Sequence, residues 1–122
     1  MADDCELCVP HAVVAEDAYA YARYDSNSLT KGHVIVVPKR HVANYFDMTS
    51  EEKLSVVTLL DAAKTIVDHD VAPAGYNVGI NIGKAAGQSR MHVHVHLIPR
   101  HQGDVANPGG GVRCVLASQK TP

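Results

Sequence analysis

Alternation of polar and apolar residues marks residues 92–98, which read His92-Val93-His94-Val95-His96-Leu97-Ile98. Successive side chains of a strand point to opposite faces, so the valines and the leucine share one face and the three histidines share the other. The pattern predicts a strand over residues 91–98 that ends at Pro99, because proline cannot donate to a ladder.

A second alternating segment, residues 76–83, lies a short loop upstream. Its predicted core face carries Tyr76, Val78, Ile80 and Ile82, and its other face carries Asn77, Gly79, Asn81 and Gly83. The loop of residues 84–89 is short enough for an antiparallel hairpin between the two strands. The face opposite the core is expected to be bare and polar.

Helical spacing replaces this alternation after Thr49. Thr49 and Glu52 form a capping-box signature, and the apolar positions that follow predict one helix over residues 50–69. Residues 18–24 and 33–37 predict two further strands, the second ending at Pro38. We predict an α+β fold in which one long helix packs on the apolar face of an antiparallel sheet of about five strands, with the histidines on the far side.

Length and composition limit the classes of protein. The 122 residues predict a single domain over residues 1–122, with an extended C-terminal arm from about residue 104. Hydrophobic residues make up 46% and charged residues 20%, which argues against disordered, collagen-like and coiled-coil proteins. The net charge of −2 gives no argument for a nucleic-acid or membrane partner. An acidic N-terminus and an odd number of cysteines predict a cytoplasmic protein.

The three alternating histidines carry the predicted chemistry. Imidazoles so close together cannot all be charged, and neutral imidazole is a nucleophile, a base and a metal ligand. A solvated polar strand face is the structural alternative. The preceding loop holds Gly83, Gly87, Gln88 and Ser89, which suit a phosphate cradle or a simple hairpin turn.

Gly87-Gln88-Ser89 followed by the three histidines resembles the signature of the histidine-triad (HIT) proteins, which are nucleotide hydrolases and transferases. The resemblance extends upstream to Asp25, His33 and the segment from Val36 to His41, and downstream to Pro99-Arg100 and the segment from Gly110 to Arg113. It therefore covers nearly the whole chain.

The resemblance implies a reaction at the α-phosphate of a dinucleoside polyphosphate or a nucleoside phosphoramidate. His94 would attack the phosphorus and form a covalent nucleotidyl-histidine, which water then hydrolyses. His96 would bind the phosphate and protonate the leaving group, and His33 would orient this row. Phosphate oxygens would be held by Asn81, Gln88 and Ser89, and the ribose by Asp25.

Arg90 departs from this resemblance, since a small apolar residue is common at its position. An inward side chain would bind polyphosphate, and an outward one would be a solvated strand end. The outward orientation is our prediction.

The resemblance also implies a structural zinc on Cys5, Cys8, His41 and His92, and a homodimer. Two free thiols are the alternative for the cysteine pair. No organic cofactor is expected, and the expected partner is a small nucleotide. Two other functions stay open: a zinc-dependent hydrolase with His92, His94 and His96 as ligands, and a nucleotide-binding regulatory protein without turnover.

Overall fold

The computed structural model describes residues 5–116. Five strands form one antiparallel sheet: β1 (Val13–Glu16), β2 (Ala20–Tyr24), β3 (Val34–Pro38), β4 (Gly75–Ile80) and β5 (Val95–Arg100). Their order across the sheet is β1-β2-β3-β5-β4. One long helix, α1 (Ser50–Val71), connects β3 to β4. The predicted α+β architecture is confirmed.

The helix begins where the capping signature predicts. The Thr49 side chain accepts a hydrogen bond from the Glu52 backbone, and the Glu52 carboxylate accepts one from the Thr49 backbone. The helix continues two residues past the predicted end and stops at Ala72, whose φ of 51° is left-handed. Proline at position 73 cannot extend it. Among residues 5–116, no helix combines the length and apolar character that crossing a bilayer requires.

The main core lies between α1 and one face of the sheet. Helix residues Val56, Leu59, Ala63 and Val67 pack with sheet residues Ala20, Ala22, Val34, Val36, Val95 and Leu97. Since Val95 and Leu97 face the helix, His96 between them faces the opposite side. That part of the predicted arrangement is confirmed.

The N-terminal segment covers part of the opposite face. Leu7, in a short 3-10 helix (Glu6–Cys8), is fully buried against Tyr21, Ile35 and Val37. The Tyr21 hydroxyl donates a 2.6 Å hydrogen bond to the Leu7 carbonyl. Burial raises the pKa of Tyr21 to about 12, so this donor keeps its proton. The segment that carries the first two cysteines is thereby fixed to the sheet.

The predicted strand boundaries need several corrections. The last strand begins at Val95, not at residue 91, and runs through Pro99 to Arg100. Proline is tolerated because β3 pairs with β5 only as far as Leu97, so no strand neighbour on that side needs its N–H. The other predicted strands shift by one to three residues, and β1 was not predicted at all because it is only four residues long.

The predicted core face of β4 is only partly buried. Tyr76 and Ile80 pack against the main core, but Val78 is 50% exposed. This strand lies at the edge of the sheet, and α1 packs mainly on β1, β2, β3 and β5, touching β4 through Tyr76. Part of the predicted C-terminal arm folds back beside β4 as a 3-10 helix (Gly111–Val115), and residues 117–122 lie outside the described part.

Candidate functional site

A cleft of about 360 Å³ opens on the sheet face opposite α1. Four parts of the chain line it: the connection from β2 to β3, the strand β4 with the residue after it, residues 89–98, and the 3-10 helix near the C-terminus. The lining residues are Asp25, Asn27, Leu29, His33, Asn77, Gly79, Asn81, Ser89, Arg90, His94, His96, Ile98 and Val112. Amide, hydroxyl and imidazole groups predominate among its polar groups, which suits a polar ligand.

Most predicted site residues lie together in this cleft: Asp25, His33, Asn81, Ser89, His94 and His96. Gln88 and His92 do not line it. Asn27 and Asn77 also line the cleft, although neither was predicted as a site residue. Asn77 had a signal, because it lies on the polar side of its strand, whereas Asn27 sits in an irregular loop and had none.

His94 has a defined tautomer. Its Nδ1 lies 2.9 Å from the His92 carbonyl, and a carbonyl can only accept, so Nδ1 carries the proton. In the neutral ring, the second nitrogen, Nε2, then carries a lone pair and no proton. Within residues 5–116 every buried side-chain nitrogen or oxygen has a hydrogen-bond partner, and since this Nε2 has none there, it is not buried. The lone pair therefore opens to the cleft.

His33 and His96 form the second element of the site. The Leu29 backbone N–H donates to Nδ1 of His33 at 3.0 Å, so the proton of His33 is on Nε2. That Nε2–H donates to Nδ1 of His96, also at 3.0 Å. A neutral His96 consequently carries its own proton on Nε2, where it can be donated to a ligand.

Burial keeps this pair neutral. Desolvation lowers the pKa of His33, against the opposing charge of Asp25. Desolvation also lowers the pKa of His96, and the nearby His94 and His33 lower it further. An Asp25 carboxylate oxygen lies 3.5 Å from His33 Nε2 and 3.8 Å from His96 Nδ1. The carboxylate is close enough to stabilise a transient positive charge on either ring.

Gln88 braces the loop in front of the histidines. Its side-chain oxygen accepts a hydrogen bond from the Gly83 backbone, and its side-chain nitrogen donates to the carbonyls of Ala43 and Arg90. With both N–H groups occupied and the residue buried, this side chain has no donor left for a ligand. Ser89 and Asn81, by contrast, are exposed in the cleft.

Arg90 is among the residues that line the cleft, and its side chain is 38% exposed. Its guanidinium forms a 2.7 Å ion pair with Glu6 of the N-terminal segment. The predicted outward orientation thus holds only in part, because the side chain has a specific partner that local sequence did not indicate.

Two cysteines and two histidines form a compact cluster behind the cleft. The ligand atoms of Cys5, Cys8, His41 and His92 all lie within 4.8 Å of one another. Cys8 Sγ is 3.1 Å from Nδ1 of His41, and Cys5 Sγ is 3.4 Å from Nδ1 of His92. Tetrahedral zinc has bonds of about 2.0–2.3 Å to nitrogen and sulfur, which give ligand separations of this size.

The orientation of His92 also fits a metal ligand. Its Nε2 lies 2.7 Å from the Pro38 carbonyl and therefore carries the proton, which leaves the Nδ1 lone pair facing the thiols. The four predicted residues fit a structural zinc by donor type, separation and tautomer.

The three alternating histidines do not come together as a zinc site in this structure. Within the described residues, His92 belongs to the cysteine cluster, and the only other candidate group is Asp25, His33 and His96. In that group Nδ1 of His33 accepts the Leu29 N–H, so Nε2 needs the proton that a metal would displace. The second group fits a proton network better than a metal.

Comparison with known proteins identifies the family. The HIT domain family model matches residues 6–103. An uncharacterized HIT-like protein of Methanocaldococcus jannaschii is 39% identical over 97 residues, which cover 79% of this chain and 74% of that protein. The AP-4-A phosphorylase of Mycobacterium tuberculosis is 37% identical over 93 residues, covering 75% of this chain but 48% of that enzyme.

A solved structure supports the same assignment. The zinc-bound histidine triad family protein of Mycobacterium smegmatis has a TM-score of 0.77 and 27% identity, covering 88% of this chain and 82% of that chain. Since the family match spans most of the sequence and the observed sheet, helix and histidine cleft agree with it, this chain belongs to the HIT domain family.

Proposed function

We propose that this protein cleaves or transfers nucleotides at the α-phosphate, through a covalent intermediate on His94. Membership of the HIT family and the similarity to an AP-4-A phosphorylase support a nucleotide hydrolase or transferase in general. Dinucleoside polyphosphates and nucleoside phosphoramidates are the proposed substrates. The observation that carries the proposal is the tautomer of His94, whose unprotonated Nε2 opens to the cleft.

In the first step, the Nε2 lone pair of His94 attacks the α-phosphorus and forms a P–N bond. The bond from phosphorus to the leaving group breaks, and its electron pair departs with that group. The leaving group takes the proton it needs from Nε2 of His96 in its imidazolium form, and the ring is neutral after this transfer. Before the transfer, the Asp25 carboxylate near Nδ1 stabilises the positive charge on this ring.

In the second step, water attacks the phosphorus of the nucleotidyl-histidine. The P–N bond breaks and its electron pair returns to Nε2 of His94, while His96 accepts a proton from the water. Dividing one displacement into two lowers each barrier. A transferase would use another acceptor in place of water.

We assign phosphate binding to neutral hydrogen-bond donors in the same cleft. We assign Ser89 and Asn81 to the phosphate oxygens, because both are exposed there. Gln88, whose donors are occupied, would instead shape the loop. The ribose is assigned to Asp25, whose carboxylate is a good acceptor for a diol.

We further propose one structural zinc per chain, on Cys5, Cys8, His41 and His92. When bound, the metal would cross-link the N-terminal segment to the sheet and hold His92, whose carbonyl fixes the tautomer of His94. A homodimer and a cytoplasmic location remain proposals that rest on the family resemblance and the composition.

The experiment is to trap the intermediate. The protein is mixed with labelled diadenosine triphosphate or adenosine phosphoramidate, quenched early in alkaline denaturant, and mapped by mass spectrometry. We expect an adenylyl group on His94, none in His94→Ala, and an unchanged adduct in the exposed control His101→Ala. Nucleotide binding with no turnover above the His94→Ala level would overturn the proposal and support a regulatory binding protein.

Treatment with a chelator distinguishes catalysis by His94 from the alternative of metal-dependent catalysis. We expect Cys5→Ser/Cys8→Ser to lose zinc and still form the adduct on His94. Retention of zinc in that variant, with turnover abolished by chelation, would assign the catalysis to a metal instead.

A further inference from the structure

The ion pair between Arg90 and Glu6 joins the cleft to the N-terminal segment. Arg90 is the only lysine or arginine among the residues that line the cleft within the described part of the chain. Its partner, Glu6, lies between Cys5 and Cys8 in the sequence, and both of these cysteines belong to the metal-ligand cluster. The one fixed positive charge available to an anionic ligand is thus neutralised by a carboxylate from a different part of the chain.

The position of this pair follows from the contacts along the cleft. Asp25 lies beside His96, the His96 ring lies 5.0 Å from the His94 ring, and His94 bonds to the carbonyl of His92 in the cysteine cluster. Glu6 belongs to the same N-terminal turn as that cluster. Arg90 lines the same cleft as His94 and His96, so its charge and that of Glu6 act on any phosphate chain bound there.

The charges around the cleft determine which leaving groups it accepts. Among the lining residues, Asp25 contributes a negative charge and Arg90 a positive charge, so the lining has no excess positive charge. Glu6 adds a further negative charge at the rim. A polyphosphate leaving group carries several negative charges, whereas an amine or a simple alcohol carries none. Glu6 repels the first kind and occupies the cation that would bind it.

We propose that Glu6 and Arg90 discriminate between leaving groups by charge, so that the protein prefers nucleotide conjugates with a weakly charged leaving group over long polyphosphates. The inference deepens the proposed function and rests on it. Both side chains are partly exposed, Arg90 by 38% and Glu6 by 53%, so the arginine can leave its partner without unfolding the site. Neither residue is a ligand of the cysteine cluster.

The test compares kcat/KM for adenosine phosphoramidate with kcat/KM for diadenosine tri-, tetra- and pentaphosphate. In Glu6→Gln we expect the ratio of polyphosphate to phosphoramidate to rise about two- to fivefold, the scale of one partly exposed charge pair. In Arg90→Gln the ratio should fall, because Glu6 is then an unpaired negative charge at the rim, and adding Glu6→Gln to that variant should raise the ratio again. The differences should shrink at high salt, which screens exposed charges.

Ratios that stay within error of wild type in both single variants would overturn the inference while leaving the proposed function intact. A ratio that falls in Glu6→Gln would also overturn it. If wild type cleaves none of these substrates, the proposed function itself fails. Circular dichroism and zinc content, measured on each variant, confirm that the fold and the cysteine cluster are retained.

Discussion

The hydrogen bond from Tyr21 to Leu7 is a single contact on which the N-terminal segment depends. Tyr21 is fully buried, and its hydroxyl lies 2.6 Å from a carbonyl that is buried with it. In Tyr21→Phe the ring still packs against Ile35 and Val37, but the Leu7 carbonyl loses its partner. Leaving a buried acceptor without a partner costs about 1–3 kcal/mol.

That free energy converts to a change in melting temperature. The entropy of unfolding is about 2.1 cal/mol/K per residue, which for 122 residues is about 0.26 kcal/mol/K. Tyr21→Phe should therefore lower the Tm by about 4–12 °C. The loss should also weaken zinc binding, because Cys5 and Cys8 flank Leu7 and depend on the same segment.

Thermal unfolding followed by circular dichroism measures the first effect, and competition with a chelator measures the second. Tyr19→Phe is the matched control, because Tyr19 is 47% exposed and no side-chain hydrogen bond is recorded for it in the described residues. A Tm for Tyr21→Phe as high as that of the control would refute the reasoning, since it would mean that the buried hydroxyl contributes no net stability.

Three further predictions follow from the same structure. Burial lowers the pKa of His33 below 6.5, so the unfolded chain binds a proton at this residue more readily than the folded one as the pH falls through that value. The free energy of unfolding, measured in urea, should therefore decrease as the pH falls below 6.5. The decrease should be less steep in His33→Asn. Gly32→Ala should destabilise by about 1–3 kcal/mol in urea unfolding, because φ is +85° and the new Cβ would lie 2.9 Å from a valine methyl; Gly75→Ala, with open space, is the control. Metal analysis should find one zinc per wild-type chain and none in Cys5→Ser/Cys8→Ser.

Local sequence patterns predicted the features of secondary structure that depend only on residues close together in the sequence. The capping box of Thr49 and Glu52 predicted where α1 begins, because both bonds form within one turn. Alternation placed His96 on the face away from the helix, because Val95 and Leu97 must face the core. The short β1 gave no such signal and was missed.

Local patterns could not predict contacts between segments that are far apart in the sequence. His92 was predicted to share a strand face with His94 and His96, yet the strand begins only at Val95 and His92 turns to the N-terminal cysteines. Val78 matched the core pattern but is exposed, because it lies on an edge strand and α1 packs mainly on the other four strands. Which strand is an edge depends on the topology of the whole sheet.

The sequence by itself determined the secondary structure that local periodicity encodes, and it contained the histidines, cysteines and asparagines that make a site. Only the tertiary structure decided which nitrogen of each imidazole carries a proton, because the partners are carbonyls and N–H groups of other residues. It also decided that Glu6 faces Arg90, 84 residues further along the chain. Contacts of this kind arise when folding brings separate segments together, and no local pattern of residues specifies them.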